Sequence, residues 1–249
     1  MAINETAVQL KYGMEKDAST TKAYPYGTVG ITPDGRKFRY ALAGEAITAG
    51  LNIMQKAGIA NHDMDLALVA ASAVGDTTVQ VTLGATAATL NQYADGYLYV
   101  NDGAGQGPIH RIKSNPAADS GANLILTLEE DDGIRTALTT ATSLLGLMEN
   151  PYKDVEIFDA NDIDGASLGV APADVDDDEN FWVQTDGYAN CLMDNTTFVL
   201  GSAVEASTAT DGAMTLHDVS ANTDRKALGT VSLIVAVSGD YGIVKLAIG

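Results

Sequence analysis

Thr78-Val79-Gln80-Val81-Thr82-Leu83 alternates polar and apolar side chains residue by residue. A period of two marks a strand with one face on a core and the other toward solvent, because successive Cβ atoms point to opposite sides of the pleat. The same row recurs downstream. Leu124, Leu126 and Leu128 form one, Phe181 and Val183 flank Trp182, Val231, Leu233, Val235 and Val237 form a long one, and Val244, Leu246 and Ile248 close the chain. Between the rows stand seven Asp-Gly dipeptides, beginning at Asp34, Asp95, Asp102, Asp132, Asp164, Asp186 and Asp211. Both residues of that pair tolerate positive φ and suit tight turns. Strand and turn repeated in this way read as an all-β fold.

Helix signals are confined to Leu42–Lys56, where Gly44 and Gly50 weaken them, so at most one short helix is expected. Gly133–Gly146 has a helix-like composition, but Thr136, Thr139, Thr140 and Thr142 favour a turn and a strand. Apolar alternation stops near Phe158. The following stretch, Asp159–Glu179, holds eight acids (Asp159, Asp162, Asp164, Asp174, Asp176, Asp177, Asp178, Glu179) and no Lys or Arg, the composition of a solvated linker or loop. The expected organisation is therefore an extended N-terminal arm with the short helix over residues 1–65, a first β domain over 66–158, the acidic linker over 159–179 and a second β domain over 180–249. Each β domain is expected to be a small barrel or sandwich. Asp95-Gly96-Tyr97 and Asp186-Gly187-Tyr188 repeat one tripeptide, too short to establish duplication.

The 249 residues are long enough for one large domain or two small ones, and 46% hydrophobic content supports a buried core. Fourteen basic against 33 acidic side chains leave a net charge of −19. Such a field repels nucleic acid and anionic lipid alike. One cysteine, Cys191, permits no internal disulfide. With no basic start, no apolar leader and no run of about 18 apolar residues, the sequence reads as a soluble protein made in a cytoplasm. The charge is unevenly placed: residues 1–40 hold six basic and four acidic side chains, so this segment carries +2 and the remainder −21. It reads as an extended arm that contacts another surface, or as a frayed terminus.

Sites for chemistry are sparse. Gly165-Ala166-Ser167-Leu168-Gly169 fits the Gly-x-Ser-x-Gly nucleophile pattern, but no buried strand precedes it and no helix follows, so it reads as coincidence. The acidic run fails the spacing of a calcium loop, since Ala160 and Ala171 fall at the two end positions when Gly165 is the turn glycine. His62, His110 and His217 are scattered, which argues against zinc. Gly103-Ala104-Gly105-Gln106-Gly107 lacks the Lys and helix of a phosphate cradle and reads as a hairpin loop. Tyr97, Tyr99 and Trp182 read as core or interface aromatics before carbohydrate platforms. Neither a cofactor nor a metal is expected, and the reading is of a non-enzyme.

Three stretches together carry a resemblance. They are Tyr26-Gly27-Thr28-Val29 through Asp34-Gly35-Arg36-Lys37-Phe38-Arg39-Tyr40-Ala41 to Ala43-Gly44-Glu45-Ala46 and Ala49-Gly50-Leu51; Asn91-Gln92-Tyr93-Ala94-Asp95-Gly96-Tyr97-Leu98-Tyr99-Val100 with Asn101-Asp102-Gly103-Ala104-Gly105; and Asn180-Phe181-Trp182-Val183-Gln184-Thr185-Asp186-Gly187-Tyr188-Ala189. In this order they resemble the decoration, or cement, proteins that coat the capsids of tailed bacteriophages. The resemblance implies a virion structural protein on the capsid exterior. Its partner would be the major capsid protein, and it would self-associate, a homotrimer being one arrangement the family offers. Basic residues of the opening segment, Lys11, Lys22, Arg36, Lys37 and Arg39, are the expected docking set. Deleting residues 1–24 is expected to leave a folded protein that no longer binds shells. The alternative is a tail or fibre adsorption module that binds host carbohydrate through Tyr97, Tyr99 or Trp182; a Ser167 hydrolase ranks third.

Overall fold

The computed structural model describes residues 7–161, 165–194, 198–218, 226–233 and 237–248. Among them the architecture is all strand, apart from one 3₁₀ turn at Met14–Lys16. The chain forms two compact units. One joins Met1–Lys56 to Pro151–Gly249, and the other, Ala57–Asn150, is inserted between those two segments. The first segment contributes β1 (Val8–Gln9), β2 (Val29–Ile31), β3 (Lys37–Leu42) and β4 (Asn52–Met54).

The inserted unit contains β5 (Leu66–Ala67), β6 (Thr78–Thr82), β7 (Tyr97–Asp102), β8 (Ile109–Ser114), β9 (Asn123–Leu128) and β10 (Leu144–Met148). They pair antiparallel in the order β5-β10-β7-β8-β9-β6. Leu68, just past β5, bridges Val81 of β6, and the Val69 N–H donates to the Gln80 carbonyl at 2.9 Å. That contact closes the sheet into a six-stranded barrel, which leaves no free edge. Alternate side chains fill the interior: Val79 and Val81 face Leu124, Leu126 and Leu128, with Leu98, Ile112 and Leu145 completing the core. Truncating one of the three β9 leucines to Ala would cost about 2–5 kcal/mol. Two arches beside the barrel are clasped by reciprocal backbone hydrogen bonds, Ser72 with Leu138 and Ala88 with Ala118.

His62 is fully buried in this unit. Its Nε2 lies 2.9 Å from the Thr86 carbonyl, which can only accept, so Nε2 carries the proton. Nδ1 is then the acceptor for the Tyr93 hydroxyl.

The second segment of the first unit adds β11 (Glu156–Ile157), β12 (Ser167–Val170), β13 (Asn180–Leu192), β14 (Ala203–Ala206), β15 (Met214–Leu216), β16 (Gly229–Leu233) and β17 (Tyr241–Ala247). The 13-residue β13 is its spine. Through its first half it pairs with β3 and β12; β12 pairs with β4, and β4 with β11. Ala43 past β3 then bridges Val155 before β11, so these five strands close on themselves. Ala41, Ile53, Leu168, Phe181 and Val183 fill that closure. Through its second half β13 pairs with β17, followed by β16, β14 and β15, and Met193 bridges Met214 to make a second closure around Cys191, Val204, Val231 and Val244. The register shifts between Gln184 and Asp186, where one set of partners gives way to the other.

Several sequence expectations are corrected here. Residues 7–42 are not an extended arm: β1 pairs parallel with β2, Ser19 bridges Asn180, and Leu10, Tyr26, Phe38, Tyr40 and Trp182 form one buried cluster. The cause lies in Phe181-Trp182-Val183, a run buried on both faces. Phe181 and Val183 face one side, so Trp182 needs a cover on the other, and the N-terminal segment supplies it. Leu42–Lys56 is not a helix. Ile47 bridges Val175, β4 occupies its end, and a Cβ on Gly44 would sit 2.8 Å from the Asp154 carbonyl oxygen. The expected domain divisions at residues 65, 158 and 179 also move, because strands from both sides of the insertion share β13. Residues 159–179 are not a linker, since β12 and the buried Val175 lie within them; Asp162 and Asp164 fall outside the described residues. The row from Val231 ends as a strand at Leu233, Val237 lies beyond it, and Val235 is outside the described residues.

Candidate docking surface

The basic segment enters the first unit through β1 and turns at Lys11–Lys16 before running back past Ser19. Its turn is held from beneath by Glu15, whose side chain is 3% exposed. That carboxylate accepts the Gly13 N–H at 2.7 Å and the Arg36 Nη2 at 3.0 Å. Burial alone would push the Glu15 carboxyl up, but backbone N–H donors and the Arg36 guanidinium outweigh it and hold the group below the usual carboxylate range. Arg36 also donates Nε to Asp34 at 2.9 Å, and Thr32 Oγ1 donates to the same carboxylate at 2.5 Å. Arg36 is thus a fastener between two parts of its own unit.

The remaining docking candidates divide by what they touch. Lys37 lies 3.7 Å from Asp186, an ion pair across the β3–β13 boundary. Arg39 donates Nη1 to the Gly27 carbonyl at 2.8 Å and lies over the Tyr152 ring. Lys22 places Nζ 3.9 Å from the Tyr26 ring centroid. Lys11 is exposed. The structure therefore gathers all five on the first unit, but it uses Arg36, Lys37 and Arg39 to secure the segment and leaves Lys11 outward. Sequence reasoning passed over two neighbours of Lys11. Tyr12 is 64% exposed, and Lys16 is exposed at the end of the same turn. The signal was present in Lys11-Tyr12-Gly13, an aromatic between a cation and a glycine in a segment otherwise supplying aromatics to the core.

Other candidates resolve locally. Ser167 opens β12, and its Oγ accepts Asn52 Nδ2 at 3.1 Å; the register slips between Ser167 and Gly169, so the motif forms a bulged strand. His110 Nδ1 lies 3.1 Å from the Asp132 carbonyl, and His217 Nδ1 lies 2.5 Å from Glu205. No three His, Cys, Asp or Glu side chains converge as a metal site among the described residues. Residues 103–107 connect β7 to β8, as a hairpin loop should. Trp182 is 4% exposed between Tyr24 and Tyr40, which removes it as a carbohydrate platform. Tyr99 donates its hydroxyl to the Asp63 carbonyl, and Tyr97 lies beside Arg111. Burial pushes the Cys191 thiol up to about 12, which makes it inert. A shallow hollow of about 320 Å³ is lined by Thr48, Gly50, Ala171, Pro172, Asn190 and Tyr241, a set without a carboxylate, imidazole or amine.

No family model, curated protein or solved structure matches the chain.

Proposed function

We propose that this protein is a non-enzymatic virion component that binds the outside of an assembled phage capsid and stabilises it, with the major capsid protein as its partner. The observation that carries the reading is the fastened basic segment. An acidic, strand-built body holds its cationic stretch in a fixed geometry through the Glu15–Arg36 pair, instead of leaving it as a loose tail. A fixed surface loses little conformational entropy on docking, and a shell repeats the same shallow site many times, so modest contacts are sufficient. The three stretches that resemble decoration proteins support the same reading.

The test is the number of copies per purified particle, measured by mass spectrometry against the major shell protein. Copies in the hundreds are expected. A dozen or fewer would overturn the coat reading and turn attention to tail adsorption, where Tyr97 remains half-exposed while Trp182 does not.

A further inference from the structure

Seven Asp-Gly pairs punctuate the sequence, and the fold places their carboxylates very differently. Five are engaged elsewhere. Asp34 accepts Thr32 Oγ1 and Arg36 Nε, Asp95 accepts Arg111 Nη2 at 3.3 Å, and Asp132 accepts the Arg111 N–H at 2.6 Å. Asp186 lies 3.7 Å from Lys37, and Asp211 accepts the Ala160 N–H at 2.9 Å. Three of the glycine N–H groups are tied down as well: Gly35, Gly96 and Gly212 donate to the carbonyls of Thr32, Tyr93 and Phe158 at 2.8, 2.9 and 2.8 Å. Asp164 lies outside the described residues. Asp102 is the exception among those described. It is exposed at the end of β7, and its Oδ1 accepts the N–H of Gly103 itself at 2.8 Å.

From this juxtaposition we propose that Asp102-Gly103 is a site of spontaneous backbone modification, at which the aspartate converts to isoaspartate through a cyclic imide. The Gly103 amide nitrogen gives up its proton to water and bonds to Cγ of the protonated Asp102 carboxyl. One carboxyl oxygen leaves as water, and a five-membered succinimide results. Water then adds at the former Asp102 main-chain carbonyl carbon, and the bond from that carbon to nitrogen breaks. The main chain now runs through Cγ and the old carbonyl carbon is a free carboxylate, so mass and charge are those of the starting chain.

Holding the nitrogen against the carboxyl removes much of the orientational cost of closing the ring. Glycine on the nitrogen side leaves that approach uncrowded. The other acceptor of the Gly103 N–H is again a side chain, Gln106 Oε1 at 3.1 Å, so no backbone hydrogen bond has to break before the nitrogen reacts. The product does not fit the loop it forms in. A Cβ on Gly103 would already come 1.8 Å from the Thr142 carbonyl oxygen, and Ser143 Oγ donates to the Ala104 carbonyl at 2.7 Å. An extra main-chain methylene therefore pushes the loop off Ser143 and loosens the barrel where Asp102 faces Leu144. Ring closure needs no shell, so this conversion and capsid binding can fail separately.

The test is to age the purified full chain for several weeks in warm neutral buffer and digest it with an endoproteinase that cuts before aspartate but not before isoaspartate. Fragment masses locate each site. Resistance before residue 102 is expected to accumulate at least about tenfold faster than before Asp34, Asp95, Asp132, Asp186 and Asp211, because each of those must first give up a hydrogen bond or ion pair. In denaturant, where all the pairs share one local chemistry, the difference is expected to disappear. Asp102→Glu, whose ring would have six members, is expected to stay unmodified, and Asp102→Asn to convert faster with release of ammonia. A residue 102 that stays aspartate, other pairs that convert as fast in the folded chain, a preference for residue 102 that persists in denaturant, or an Asp102→Asn chain that keeps its amide would each overturn the proposal.

Discussion

Glu15 and Arg36 pair at 3.0 Å with the carboxylate 3% exposed and the guanidinium 20% exposed, joining the turn after β1 to the loop before β3. Glu15→Gln keeps the shape and removes the charge, and is expected to destabilise the first unit by about 1–3 kcal/mol. The pH dependence has a definite sign. A carboxyl held below its ordinary value stabilises the fold above the unfolded value near 4.5 and loses that contribution as pH falls through the lowered native value. Urea melts at a series of acidic pH values should therefore show a steeper loss in wild type than in Glu15→Gln. Parallel curves would mean that the pair carries no such linkage.

Removing residues 1–24 strips Leu10 and Tyr24 from the cluster around Trp182. Burial of Leu10 alone contributes about 1.5–3 kcal/mol. The truncated protein is expected to melt earlier, because Trp182 loses its cover. Trp182 is the single tryptophan, so its emission reports the site directly. A red shift is expected; unchanged emission and an unchanged melt would show that the segment does not cover it.

Tyr93→Phe leaves the ring in place and deletes the donor to His62 Nδ1. An unpaired acceptor at a fully buried histidine costs about 1–3 kcal/mol. Chemical denaturation of the full chain should show the loss. The double variant Tyr93→Phe/His62→Phe should fall short of the sum of the two single effects; strict additivity would indicate that the pair does not interact.

Cys191 is fully buried and its thiol is pushed up to about 12. Iodoacetamide at mildly alkaline pH should leave the native protein unmodified and alkylate it quantitatively in denaturant. Rapid labelling of the folded protein would contradict the burial of the second closure.

The alternation at Thr78–Leu83 and in the Leu124 row was legible because a two-residue period survives wherever one face of a strand is wet. Both rows became neighbouring strands of one barrel, with Val79 opposite Leu126 and Val81 opposite Leu124. The insertion was not legible. Lys37–Leu42 finds its partner in β13 across more than a hundred residues, and no local pattern encodes so distant a pairing. Glu15 was hidden for a different reason: in a segment counted by net charge, a buried acid looks like any other acid. Trp182 did carry a clue, since three successive bulky residues have no wet face and so demand cover on both sides.

Because β13 completes both closures of the first unit, synthesis imposes an order on assembly. The ribosome delivers β1–β4 first, then an insertion that can close its own barrel, and only afterwards the spine that the opening strands require. Until then β3 has an unsatisfied edge, while residues 57–150 already hold every strand of their own sheet. The nascent chain thus spends its most aggregation-prone interval with the barrel strands complete and the opening half still lacking its spine. That barrel also limits the search, since it draws the ends of a long intervening loop together before β13 arrives.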